Sequence, residues 1–462
     1  MFMALDKDAA LPLTRQIHAR IREEILRGGL HGGDRLPSTR ELAKELGVSR
    51  NVVMIAYELL LSEGYVEARH GSGTTVARGI LPGRASAGVP RRPGFATAAA
   101  TEDTVDFRSG VPAVESFPLR AWGRYLHEIC LSAAPSIMAY AEPEGLPELR
   151  TALAAYLARA RGLSCSPENV VAVSGATQGL ALAARLLREH GGRAVVEDPL
   201  NAGMKKIIAG ASLKLHPVPV DGRGLRTDLL RSAPEAALLY VTPSHQFPLG
   251  GILSAPRRSE LLAWAAACGC CAVEDDYDSE FRHEGPPLTA LQALDPERVI
   301  YIGSLSKILA PALRLGYMVV PGRYLPRLRI LKMLSDVHTP TLDQMALAQF
   351  LRDGRLERHT AGMKRIYAAR RRALLAALEE HFSGEYTVEG AAAGLHLAAG
   401  FPGREFDERL VAKLAAAGVK VYPVERYAIR KGDHKHQLIL GYGHLEPERI
   451  REGIRRLRRG LG

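Results

Sequence analysis

Lys307 stands among small and apolar residues in "YIGSLSKILAPALRLGY", Tyr301 to Tyr317, and Arg314 follows seven places later. A lysine in such a setting suits covalent capture of an aldehyde cofactor. A phosphate on that cofactor would want a counter-charge. Arg314 offers one, because a planar guanidinium meets two oxygens at once. Ser304 and Ser306 flank the lysine and can donate further hydrogen bonds. "SGATQGL", Ser174 to Leu180, follows an apolar run and opens a helical one. Free N–H groups at a helix start bind phosphate, here around Ala176 and Thr177. "EDDYDSEF" ends another apolar run. There Asp275 would keep a ring nitrogen protonated and Tyr277 would bond a ring hydroxyl.

These pieces need a scaffold that brings them together. From Val105 onward, short apolar runs alternate with helix-length segments. "NVVAVSG", "RAVVED", "AALLYVTP", "CAVEDD" and "RVIYIGS" read as buried strands, with segments such as "ATQGLALAARLLREH" between most of them. That alternation predicts a mostly parallel α/β sheet. The chemistry-bearing pieces all fall at the C-terminal ends of strands, where open α/β sheets bind ligands. The last ~120 residues, helical and then "LHLAAGF" and "HQLILGY", predict a smaller α+β subdomain from about residue 345.

Residues 1–78 have a different texture. Leu13, Ile17, Ile21 and Ile25 make one stripe of a helix. Ser38 or Thr39 is placed to cap a second helix, with Leu42, Ala43 and Leu46 on its buried side. Ser49 is placed to cap a third, with Val53, Ala56, Tyr57 and Leu60 inward and Arg50, Asn51 and Met54 outward. Two short helices joined by a tight turn, the second offering polar residues at its start, is helix-turn-helix geometry. "YVEARHGSGTTVA" alternates about a Gly-Ser-Gly tip and predicts a hairpin wing against DNA phosphates. Residues 79–104, rich in Ala, Gly, Pro and Arg, read as a flexible linker.

Bulk properties agree with a multidomain soluble chain. It has 462 residues, 47% apolar and 24% charged. The net charge is +11, which fits a polyanionic partner, yet residues 1–78 carry 11 basic and 10 acidic side chains. No apolar run reaches the ~20 residues of a bilayer span, and no signal peptide shows at the N-terminus, so a cytoplasmic location is expected. Five cysteines, three of them in "CGCC" (Cys268 to Cys271), do not suggest a disulfide framework. At the junction of a helix and the strand "CAVEDD" they read as small apolar packing residues, and a metal site is not expected.

The string "GGDRLPSTRELAKELGVSRNVVMIAYELLLSEGYVEARHGSGTTV" resembles the winged helix-turn-helix of GntR-type bacterial regulators. The resemblance implies that Ser38, Thr39, Arg40, Ser49, Arg50 and Asn51 reach operator DNA, with Gly71, Ser72, Gly73 and Thr74 as the wing tip. The chain from Val105 to Gly462 resembles a fold-type I aminotransferase. "DFRSGVPAVESFPLRAW", "TPSHQFPLGG" and "EDDYDSEFRHEG" resemble the MocR branch of GntR regulators, where the two modules are fused. This resemblance implies a pyridoxal 5′-phosphate cofactor in Schiff-base linkage to Lys307, and a head-to-tail, domain-swapped homodimer. It implies that Tyr140 reaches the partner subunit's phosphate and that His245 and Gln246 line the pocket.

Two positions depart from those patterns. Asn201, in "EDPLNAG", stands where relatives commonly carry an aromatic that packs near the cofactor ring. Ile439, in "HQLILGY", stands where similar transaminases hold the substrate's α-carboxylate with arginine. Loss of that clamp weakens substrate positioning by ~2–4 kcal/mol. Arg430, His434 and His436 are the candidate substitutes. The expectation is therefore a regulator that senses pyridoxal phosphate or an amino compound, by exchange at Lys307, without efficient turnover. The alternative is an active aminotransferase with an accessory DNA-binding module.

Overall fold

The structure is a computed structural model, and it describes residues 5–6, 9, 11–69, 73–80 and 103–462. The chain divides into two compact units, Met1–Ala99 and Ala100–Gly462. Most of the expected linker lies outside the described residues. Its last part does not: Arg456 holds Asp103 at 2.7 Å.

In the first unit, α1 (Leu13–Arg27), α2 (Thr39–Leu46) and α3 (Arg50–Ser62) precede an antiparallel hairpin of β1 (Val66–Arg69) and β2 (Gly73–Val76). Ile17, Ile21, Leu42, Val53, Ala56 and Leu60 are buried together, as their spacing requires. Gly28 and Gly47 take left-handed conformations that end α1 and α2. Ser38 caps α2 through a reciprocal box with Glu41.

The second unit opens with β3 (Val105–Asp106), α4 (Leu119–Ser132) and α5 (Pro147–Arg161). Its large sheet is laid down by β4 (Val170–Val173), β5 (Arg193–Asp198), β6 (Lys214–Asp221), β7 (Gly224–Leu225), β8 (Leu238–Val241), β9 (Cys271–Asp276), β10 (Val299–Ser304) and β11 (Gly316–Val319). Among the described residues the strand order is β4-β11-β10-β9-β8-β5-β6-β7. The five expected strands form and pair parallel, except where β11 intervenes antiparallel between β10 and β4. The helices α6 (Ala176–Arg188), α7 (Ala202–Gly210) and α8 (Ala255–Ala267) connect successive strands. Two apolar clusters on opposite faces of the sheet, one around Val171, Leu180 and Ile302 and one around Val195, Leu239 and Leu261, bury the strands on both sides.

After α9 (Leu325–Asp336), α10 (Thr341–Arg352) and the long α11 (Arg355–Phe382), the chain builds a second, antiparallel sheet. Its strands are β12 (Thr387–Glu389), β13 (His396–Gly400), β15 (Tyr422–Pro423) and β16 (Gln437–Gly441), with α12 (Glu408–Ala416) and α13 (Pro447–Leu461) beside it. β14 (Val419–Lys420) pairs with β3, tying the two ends of this unit together. The residue expected to open the small subdomain, near 345, falls inside α10. Cys270 and Cys271 are buried, and burial pushes the Cys271 thiol up to about 12, so it stays protonated packing.

Candidate cofactor site and nucleic-acid interface

Lys307 and Arg314 share the loop between β10 and β11, which the Leu305 amide closes on the Leu315 carbonyl at 3.2 Å. Arg314 takes a left-handed backbone (φ 49°), which non-glycine residues rarely adopt. Its Nη2 donates to the Ser174 carbonyl at 2.6 Å. Gly175 must be glycine there: its φ is +79°, and a Cβ would stand 3.0 Å from Arg314 Nη2. α6 begins at the next residue. The amides of Ala176 and Thr177 find no acceptor among the described residues, so a guanidinium and two free N–H groups converge on one spot.

That spot is one end of a cavity of about 290 Å³. Ala176, Thr177, Asn201, Asp275, Tyr277, Ser304, Ser306, Lys307 and Arg314, all singled out from the sequence, line it. Lys307 Nζ donates to the Gly110 carbonyl. Burial lowers the Lys307 pKa against the pull of Asp278 and Asp275, and Arg314 adds to the lowering. A larger share of the amine is therefore unprotonated and nucleophilic near neutral pH.

Asp275 lies at the end of β9, opposite Ile302 of β10. Its Oδ2 accepts the Tyr240 hydroxyl at 2.6 Å, while Oδ1 is buried with no partner. Burial pushes this carboxyl up to about 6, in spite of the Tyr240 bond. A protonated ring nitrogen would supply both the missing donor and the missing charge. The donor set and this orphaned oxygen fit pyridoxal phosphate.

Tyr277 places its hydroxyl 3.1 Å from His245 Nδ1. His245 and Gln246 do not line the cavity, contrary to the sequence expectation. His245 is 2% exposed and sits behind Tyr277, with Nδ1 3.0 Å from Asp278 and Nε2 3.2 Å from the Gly390 carbonyl. Gln246 is fully buried, and its amide donates to the carbonyls of Pro199 and Phe247. Both residues brace the wall. His245, Asp278 and His396 lie close enough together to hold a metal ion. However, both His245 nitrogens are engaged, Nδ1 by Asp278 and the Tyr277 hydroxyl and Nε2 by the Gly390 carbonyl, and Asp278 raises its pKa in spite of burial.

Arg430 is a second correction. Asp198 accepts from the backbone amides of Ile429 and Arg430, which leaves the Arg430 side chain exposed and off the cavity. His434 bonds Gln437 and His436 bonds the Arg404 carbonyl, so neither replaces the missing clamp. Asn201 lines the cavity and also caps α7, accepting from Gly203 at 2.8 Å and from Met204. Ile439 is fully buried among Phe247, Leu249, Ala398 and Val424, an apolar layer that Tyr277 packs against. Tyr140 is 88% exposed and makes an edge contact with His338, away from this cavity. Tyr240, Thr242, Asp278 and His396 line the cavity but were not singled out from sequence. Tyr240 and Thr242 are two apart on β8 and its extension, so strand alternation was the signal that pointed to them.

In the first unit, Ser38, Arg40, Ser49, Arg50, Asn51 and Gly73 are exposed, and Thr39 and Thr74 are half-buried. Arg50 Nε donates to Thr39 Oγ1 at 3.2 Å, joining the starts of α3 and α2. Ser49 occupies the N-cap position of α3 but makes no capping bond. Gly71 and Ser72 lie outside the described residues.

A winged helix-turn-helix followed by a fold-type I aminotransferase domain defines a regulator class rather than a plain enzyme. The family described as Bacterial regulatory proteins, gntR family, matches residues 13–76, and Aminotransferase class I and II matches residues 102–457. The probable rhizopine catabolism regulatory protein MocR of Rhizobium meliloti is 36% identical over 99% of this chain and 95% of its own. The pyridoxine biosynthesis transcriptional regulator PdxR of Corynebacterium glutamicum is 35% identical over 80% of this chain and 79% of its own. A multiple substrate aminotransferase from Thermococcus profundus superposes with a TM-score of 0.72, at 28% identity, over 78% of this chain and 92% of its own. This chain belongs to the MocR-type subfamily of GntR regulators, whose N-terminal domain is a DNA-binding module.

Proposed function

We propose that this protein is a transcription regulator that binds operator DNA through the α2–α3 face and senses pyridoxal phosphate, or an amine that reacts with it, at Lys307. One observation carries the proposal. The cavity gathers side chains and amides that would suit the cofactor, yet among the described residues Arg314 is the sole arginine lining it. Arg314 is directed to the phosphate end, so no second guanidinium remains for an α-carboxylate. When bound, the cofactor supplies an electrophilic carbon that links amines covalently. The chain's own residues do the rest. Asp275 would hold the ring-nitrogen proton, the Ala176 and Thr177 amides and Arg314 would hold the phosphate, and Tyr277, fixed by His245, would orient the ring hydroxyl. Lys307, its pKa lowered by burial, would offer the amine to which the cofactor links. PdxR, named as a regulator of pyridoxine biosynthesis, supports a cofactor-linked signal.

Occupancy of this cavity would be read out as a change in operator affinity. Assembly is proposed as a homodimer in which Tyr140, exposed on this chain, reaches the partner's phosphate site. The test is a screen of amines and pyridoxal phosphate for altered operator affinity at fixed salt, with cofactor absorbance followed in parallel. Lys307→Ala should abolish both responses. An intact operator response in that variant would overturn the proposal. Sustained keto-acid release from ordinary amino acids would make the chain an enzyme instead.

A further inference from the structure

α5, the segment after β9, and α11 enclose a second cavity, of about 230 Å³, in the C-terminal unit. It shares no lining residue with the cofactor cavity. Its wall gathers buried polar atoms without partners: Ser279 Oγ, Arg282 Nε and Nη1, and Glu357 Oε2. Native proteins pair nearly all such atoms, so several orphans around one cavity mark a missing partner.

The charges define that partner. Arg161 is already committed, to Asp276 at 2.7 Å, to the Leu288 carbonyl and to Ser244. Glu357 gives Oε1 to Arg159 at 2.7 Å and keeps Oε2 turned inward. Arg282 forms no ion pair among the described residues, and Lys364 stands on the same wall. Glu280 also lines the cavity; burial and the neighbouring Asp276 push its carboxyl up to about 7, so it repels an anion only weakly. Two cations and one carboxylate oxygen are left over. A ligand with a carboxylate at one end and an ammonium at the other satisfies all three. The volume is that of about seven or eight waters, which suits a short molecule.

We propose that this cavity binds a small amino carboxylate non-covalently, with Arg282 and Lys364 holding the carboxylate and Glu357 Oε2 the ammonium. The site is independent of the chemistry at Lys307. The test uses full-length protein loaded with pyridoxal phosphate and reduced with borohydride, which fixes the cofactor to Lys307 and closes that route to amines. Glycine, 4-aminobutanoate, acetate and ethylamine are then titrated by calorimetry. At least one of the two amino carboxylates should bind, with acetate and ethylamine at least tenfold weaker. Arg282→Gln should weaken that binding at least tenfold, with cofactor content and melting temperature unchanged. Lys364→Met, on the half-buried face of α11, serves where the arginine variant disturbs folding. No heat from either amino carboxylate, meaning the cavity holds water alone, would overturn the proposal. So would acetate binding as tightly as glycine, or equal affinity in wild type and both variants.

Discussion

Replacing Asp275 by Asn should move two properties in opposite directions. The carboxyl is buried, and its pKa rises from 3.8 to about 6 in the fold. A shift of about two units disfavours the ionised form by roughly 3 kcal/mol. The sign follows from linkage: a raised folded-state pKa means stability that is fully present below the unfolded value and lost as pH rises through about 6. At pH 8 the cofactor-free protein therefore carries most of that cost. Asn has the same shape, and its carbonyl oxygen keeps the Tyr240 bond. Its amide replaces the orphaned Oδ1 and stays unpaired, at about 1 kcal/mol. The net gain is about 2 kcal/mol at pH 8 and near zero by pH 4. Cofactor binding should weaken, because a charge-assisted bond worth about 1.5–3 kcal/mol is lost, roughly tenfold to 150-fold in Kd. Thermal unfolding of the cofactor-free protein across pH 4–8, and a cofactor titration at pH 8, measure both. The buried acids Glu274 and Glu280 are common to both chains and cancel in the difference, while Glu197, whose pKa the Asp275 charge helps to raise, should fall slightly in the variant. Equal destabilisation by Asn at both ends of the pH range, or unchanged cofactor affinity, would refute the reasoning.

Ser38→Ala removes the bond from the Glu41 amide to the Ser38 hydroxyl, while the backbone amide at 38 still donates to Glu41 Oε2, and should cost about 1 kcal/mol, seen as roughly fivefold faster hydrogen exchange of α2 amides in the full chain. Arg50→Ala should weaken operator binding and reduce the slope of log K against log salt by about 1, the mark of a lost phosphate contact. Asn51→Ala should relax the preference at one base pair by about 1–3 kcal/mol, measured by site selection. Ile439→Arg should cost about 3 kcal/mol or more by placing an unpaired guanidinium in the apolar layer under Tyr277, and it should not confer amino-acid turnover. A stable variant with new keto-acid release would show that this layer opens to the cavity.

Much of the site was legible because its chemistry is local. Lys307 with Arg314, Ala176 with Thr177, and Asp275 with Tyr277 each sit within a short string, and the α/β rule places strand ends together. β11 was not foreseen, since "GYMV" is short and its antiparallel pairing depends on partners far away in sequence. The errors share one cause. His245, Gln246 and Arg430 have side chains that suit ligand contact, but their directions are set by distant partners: Asp278, Pro199 and Asp198. His396 was hidden for a similar reason, as a lone histidine in an apolar strand gives no local sign of facing a cavity. Ser49 shows the same limit at small scale. Its position as a cap was readable, and the missing capping bond was not.

The closed loop from Leu305 to Leu315 has a consequence for discrimination by size. The Lys307 amine and the Arg314 guanidinium, proposed to meet the cofactor's aldehyde and phosphate, are carried on one hairpin, whose ends are pinned by the Ser304–Gly316 pairing. The loop therefore works as a gauge. If the proposed cofactor binds here, the loop would favour molecules whose carbonyl and phosphate are a set span apart, and shorter or longer aldehydes would meet only one jaw at a time. Inserting a single residue between Lys307 and Arg314 would reset the gauge while leaving the sheet's pairing in place.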